Sequence, residues 1–204
     1  MKKSLFAVIC ALLVCWAAGC AQTAEPQMPE KLRGLVAGKT HIACLEGYAA
    51  DEAMAHVSLS FVIYEQETYR AQDVQALAPG DTLTVGGEPF RILSIKQDEY
   101  GYEVTGETYD LFLYPNEDGL YYAVSDTEHR FYDAVAAIEV PAPADLRFVD
   151  GSDPEAEEAT VGTLQDLLDR YGKEEINSSA DNTEITFDEE GRLTEIVYRY
   201  SPWN

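Results

Sequence analysis

His41 and Cys44 stand three residues apart in Thr40-His41-Ile42-Ala43-Cys44-Leu45. That spacing could serve a metal, or a thiol nucleophile with its base. A structural zinc site needs four ligands, and only His56, His129 and carboxylates remain to complete this one. A Cys–His nucleophile has the same ingredients and no local signature around it. The apolar neighbours of Cys44 favour a buried thiol instead. Ser152 lies in Asp150-Gly151-Ser152-Asp153. This lacks the second glycine and the strand-to-helix setting of a nucleophile elbow, and it reads as a loop serine. Asp150, Asp153, Glu155, Glu157 and Glu158 offer the hard oxygen ligands that calcium takes. Their spacing is not that of an EF-hand loop, and a solvated acidic loop is the simpler expectation. With 37 acidic residues, no carboxylate pair stands out for glycoside hydrolysis. No catalytic, cofactor-binding or metal-ligating residue is assigned from these patterns.

Tyrosine is the one compositional excess, 13 residues in 204. Tyr100, Tyr102, Tyr109, Tyr114, Tyr121, Tyr122 and Tyr132 fall in one region. Tyrosines present flat amphipathic surface at low entropic cost, which suits recognition of a ligand or partner. Tyrosine is also simply a good strand residue on half-buried faces, and that reading is the stronger.

The N-terminus gives the one residue with a nameable chemical fate. Lys2 and Lys3 form a positive head, and Leu5 to Ala18 is 14 residues without charge, Gly or Pro. That run is short of the ~20 apolar residues of a membrane span, and it suits the apolar region of a secretory signal. Ala17-Ala18-Gly19-Cys20 follows. It resembles the lipobox of bacterial lipoproteins, with Ala17 where Leu is usual. Cys10 and Cys15 each follow a β-branched residue and fit less well. The resemblance implies cleavage before Cys20, diacylglycerol on its sulfur and an extracytoplasmic, lipid-anchored location. Two or more acyl chains make a stable anchor where one is marginal.

Loss of residues 1–19 leaves 185 residues, enough for one ordinary domain or a domain and a small module. It leaves 12 basic against 37 acidic residues, a net charge near −25. Such a field repels phosphate backbones, so nucleic acid is not an expected partner. It also disfavours docking on anionic lipid, so membrane attachment must be covalent. Cys44 is the only cysteine left over, so no internal disulfide forms and the fold must hold by its core.

The elements that position these residues are mainly strands. Residues 20–37 read as a lipidated tether, on the strength of Pro26, Pro29, Gln22 and Gln27. Residues 38–150 read as a β domain. Val57, Leu59, Phe61 and Ile63 alternate with Ser58, Ser60, Val62 and Tyr64, a period of two. Tyr69, Val74 and Leu77 suggest a helical turn. Thr82–Val85 and Phe90–Ile95 read as strands across Gly86-Gly87, and Asn116-Glu117-Asp118-Gly119 as a turn before a strand from Leu120. Such spacing indicates a small barrel or a sandwich, and barrel-like closure is favoured.

Residues 151–159 read as an acidic linker, with Leu146–Val149 a possible edge strand. Residues 160–204 form a helix–hairpin unit of α+β type. Thr160 is expected to cap the helix, Val161, Leu164, Leu167, Leu168 and Tyr171 to form its apolar face, and Gly172 to end it. Thr183–Phe187 and Leu193–Tyr200 make the hairpin. A unit of this size is marginal alone and is expected to dock on the β domain. The layout, with segments such as Ala78-Pro79-Gly80-Asp81-Thr82-Leu83-Thr84-Val85-Gly86-Gly87, resembles small lipoproteins of anaerobic bacteria. That resemblance implies no activity and no functional residues.

The expected function is that of a surface lipoprotein acting as a binding or interaction module. It contacts the membrane through its lipid and has an envelope protein or a small ligand as partner. Two alternatives stand beside it: an extracytoplasmic hydrolase whose site is assembled from distant residues, and a structural protein of envelope assembly.

Overall fold

The computed structural model describes residues 30–201. The signal, Cys20 and the first part of the expected tether lie outside the described residues. From Glu30 the chain is not tether. Leu32, Leu35 and Val36 recur at helical spacing, and Glu30–Val36 forms helix α1 with Val36 fully buried.

Strands β1 (Thr40–Ala50) and β2 (Val57–Gln66) then form an antiparallel pair. Every second residue of β2 is buried from Val57 to Ile63, as the period of two requires. One residue later, at Thr68, the chain enters a different sheet. It forms β3 (Thr68–Arg70), helix α2 (Ala71–Gln75), the hairpin β4 (Thr82–Val85) and β5 (Glu88–Arg91), and then β6 (Ser94–Gln97), β7 (Tyr102–Thr105), β8 (Asp110–Pro115) and β9 (Leu120–Ser125). The single strand expected over Phe90–Ile95 is broken at Ile92 and Leu93. There the backbone amides turn to Asp81 and Thr105, and the chain passes from one sheet to another.

The chain returns as β10 (Tyr132–Pro141), which pairs antiparallel with β2. Strands β11 (Arg147–Gly151) and β12 (Thr160–Gly162), helix α3 (Leu164–Gly172), and the hairpin β13 (Thr183–Phe187) and β14 (Leu193–Arg199) complete the fold.

Sheet order explains the architecture. The larger sheet runs β10-β2-β1-β13-β14-β11-β12, and the second runs β3-β9-β8-β7-β6. Residues 68–125 are therefore an insertion between β2 and β10, which are neighbours in the larger sheet. We call residues 68–125 the inserted lobe and the remainder the frame lobe. Only Glu67 and residues 126–131 join them, and the Glu67 amide donates to the Phe131 carbonyl across the junction at 2.9 Å. Each lobe has its own core. The frame core gathers Phe61, Phe148, Phe187 and Leu167 between sheet and helices. The inserted core gathers Ile92, Val104, Leu111 and Leu113 around α2 and the β4–β5 hairpin.

The protein is thus mainly β, with a small C-terminal helix and strands. Both sheets are open, and the arrangement is sandwich-like. The barrel closure favoured by the sequence does not occur: β10, β12, β3 and β6 all remain edges. The C-terminal hairpin docks by joining the frame sheet between β1 and β11. The segment suggested as an edge strand is internal, lying parallel to β14 and antiparallel to β12.

The helix cap falls at Thr163 and not Thr160. Thr163 and Asp166 form a reciprocal capping box, in which the Asp166 carboxylate accepts from the Thr163 amide at 2.7 Å. Those bonds hold the Asp166 carboxyl below its ordinary pKa. Thr160–Gly162 pairs with β11 instead, which leaves Val161 exposed.

Candidate functional site

A cleft of about 490 Å³ opens where the two lobes meet. Its walls come from six separate stretches of chain. The frame sheet supplies Cys44 and Tyr64. The inserted lobe supplies Val85, Gly86, Glu88 and Tyr109. The returning connector supplies residues 129–132, and the loop before β13 supplies residues 178–181.

Each wall is held by hydrogen bonds within the protein. The loop before β13 is tied by Ser178, whose Oγ accepts from the Leu45 amide at 2.7 Å, and by Asn182, whose Oδ1 accepts from the Ser179 amide at 2.8 Å. Asn182 and Thr183 are buried polar residues, and they bond to each other at 2.7 Å. The connector is set by a tight turn in which Ser125 Oγ accepts from the His129 amide at 3.1 Å and Glu128 takes a φ of +68°. The hairpin wall turns at Gly86-Gly87, both at positive φ. Glu67 clamps it: one carboxylate oxygen accepts from the Gly86 amide at 2.7 Å, the other from the Tyr69 hydroxyl at 2.8 Å. A Cβ on Gly86 would also press the Phe131 ring at 3.0 Å, so the site needs glycine for two reasons.

The lining mixes aromatic surface with charges of both signs. Tyr64, Tyr109 and Tyr132 all have their phenol pKa raised, burial being the first cause in each. They are hydroxyl donors throughout the neutral range. His129 Nδ1 lies 3.6 Å from Asp181 Oδ2, and its ring meets Phe131 edge to face. Arg130 lies over the Tyr122 ring, 5.8 Å from its centroid, and its charge opposes the rise in the Tyr132 pKa.

Cys44 is half-buried at the cleft, where the sequence pointed to full burial. Its Sγ donates to the Ser178 carbonyl at 3.0 Å. Burial first, then Glu46, pushes the thiol pKa up to about 11. A thiol at that value is protonated at neutral pH, the opposite of an activated nucleophile. His41 is not near it. Three residues along a strand put two side chains on opposite faces, and His41 turns towards Phe187 on the core side.

The other candidates do not converge either. Asp150 is occupied by Arg170 and by the Ser152 amide and hydroxyl, and Asp153 caps the Glu155 amide at 2.9 Å. Among the described residues, no group of three or more His, Cys, Asp or Glu is placed to hold a metal ion. No helix among them is long and apolar enough to cross a membrane. Cys20 lies outside the described residues.

The tyrosines of the β region divide by face. Tyr69, Tyr102, Tyr109 and Tyr121 pack on the inserted core, and Tyr100 is exposed. Tyr114 and Tyr122 share the other face of that sheet with Phe112. Tyr64, Tyr109 and Tyr132 face the cleft. The sequence did not single out Arg130, Phe131, Glu88 or residues 178–181, because the stretches that carry them are far apart along the chain. No family model, no curated protein and no solved structure matches the chain.

Proposed function

We propose that the protein is an extracytoplasmic binding module, held at the membrane by lipid on Cys20, with the interlobe cleft as its binding site. The cleft carries this reading. Ligand sites favour concave apolar surface with a few convergent polar groups, at an interface between domains and with a volume of roughly 300–1,000 Å³. Here a cleft of about 490 Å³ has aromatic walls, and the two lobes that form it are joined at only two places. The protonated Cys44 thiol argues against a cysteine nucleophile at this site. Ala17-Ala18-Gly19-Cys20 supports the anchor.

The test uses the full chain in detergent. Mass spectrometry of its N-terminus is expected to find diacylglycerol on Cys20, and Cys20→Ala is expected to release the protein from membranes. A thermal-shift panel of calcium, a chelator, glycans and peptides is expected to yield a stabilising small ligand. A ligand at a hundredfold over its Kd adds about 2.7 kcal/mol to the folded state. Turnover of a glycan or peptide would replace the binding reading with the hydrolase. A flat panel together with capture of a partner from the envelope would replace it with the assembly role.

A further inference from the structure

Among the described residues, every arginine except Arg33 and Arg130 lies within 4 Å of a carboxylate oxygen. Arg33 sits on α1, packed across Gly191. Arg130 is in the cleft. Its contact with the Tyr122 ring, 5.8 Å from the centroid, orients the guanidinium without neutralising it. In a chain with 37 acidic residues, a guanidinium left without a carboxylate in a cleft is suited to an incoming one, which its planar fork can bind with two parallel hydrogen bonds.

The whole-chain field opposes any purely anionic ligand, since the formal net charge is −23. A ligand that carries both charges satisfies both conditions. It is neutral overall, brings a carboxylate to Arg130 and presents an ammonium to an acid. Glu88, which also lines the cleft, is exposed and belongs to none of the ion pairs among the described residues. Asp181 already faces His129. Tyr64, Tyr109 and Phe131 line the same cleft and offer aromatic surface for the body of the ligand.

We propose that the cleft takes a small zwitterion of the short-peptide class, its carboxylate on Arg130 and its ammonium on Glu88. This rests on the cleft being the binding site.

Calorimetric titration of the full chain in detergent tests both layers. The probes are L-alanyl-L-phenylalanine, its C-terminal amide, its N-acetyl form, and maltose as a neutral control. The free dipeptide is expected to bind, and each capped form to bind about ten- to a hundredfold more weakly, the range for a lost charge-assisted hydrogen bond. Arg130→Gln is expected to abolish the preference for acid over amide while keeping the preference for free over acetylated amine. Glu88→Gln is expected to do the reverse. The capped peptides need only the unaltered chain, so a misfolded variant does not spoil the test. Equal affinity for the dipeptide and its amide overturns the proposal. Binding of maltose but not of the dipeptide overturns the ligand class and leaves the cleft as the site. No binding of any of the four overturns both.

Discussion

In the frame lobe, nineteen of the described residues form one buried cluster, drawn from both ends of the chain. In the inserted lobe, eight do so, all between Val74 and Ala123. The frame is closed by its last hairpin, whose strands sit in the middle of the larger sheet. It cannot be complete until residues 184–186 have met residues 40–42. The inserted lobe is almost a run of neighbours, with β6, β7, β8 and β9 pairing in sequence. Segments of about 60 residues are marginal alone. The frame therefore supplies the greater stability, and the inserted lobe is the part that opens first. A cleft between a firm wall and a softer one can adjust to a ligand through the softer one.

The largest effect should come from core deletions that treat the lobes unequally. Phe61 is 1% exposed at the centre of the frame core, and Phe61→Ala is expected to cost about 3–5 kcal/mol and to unfold both lobes together. Leu111 is fully buried in the inserted core, and Leu111→Ala is expected to cost about 2–5 kcal/mol there. Hydrogen exchange read by segment separates the two cases. In the second variant, amides in residues 68–125 should exchange faster while those of β1 and β13 keep their protection. Equal loss of protection in both lobes would show one cooperative unit and remove the asymmetry.

A smaller effect is expected where the lobes touch. Glu67 is the single residue between β2 and β3, and its carboxylate holds both the Gly86 amide and the Tyr69 hydroxyl. These bonds, with burial as the first cause, raise the Tyr69 pKa, so its proton stays in place. Glu67→Ala is expected to cost about 1.5 kcal/mol, at the low end for bonds to a charged group because the Gly86 contact is exposed. Exchange should quicken at the Gly86-Gly87 turn and leave the frame untouched. If the turn keeps its protection, Glu67 does not hold this wall of the cleft.

The contrast between the lobes also separates what was legible in the sequence from what was not. The alternation in Val57–Tyr64, the turns at Gly86-Gly87 and at Asn116–Gly119, and the final hairpin are local patterns, and each marks its own element. The insertion is not local. A period of two shows which face of a strand is buried and nothing about its partner. Glu67 looks like any polar strand end, yet the chain changes sheet there. Thr160 and Thr163 are both acceptable caps, and only Thr163 has an acid three residues on. The helix at Glu30 was hidden by the prolines before it. Of the cleft, the tyrosine excess, Cys44 and His129 were visible only as separate features, because the six stretches that form it are brought together by the topology alone.

The smallest effect concerns acid, and it should fall on the frame. His41 stands on β1 beside Phe187, with its Nε2 buried and without a hydrogen-bond partner. Burial is the main force lowering its pKa. The Lys39 charge adds to this, while a bond to the Leu35 backbone and the charge of Glu65 oppose it. The unfolded chain therefore takes up the His41 proton at a higher pH than the folded one. As pH falls through the ordinary histidine value near 6.5, the unfolded state binds more protons and the frame loses stability. The contribution is fully present above that value and declines below it. His41→Gln keeps a polar side chain and removes the titration. Denaturant melts at pH 7.5 and pH 5.5 should differ less for this variant than for the parent, and the difference should lie in frame amides. An unchanged pH dependence in His41→Gln would assign the acid sensitivity to other groups and leave the two lobes alike in their response to protons.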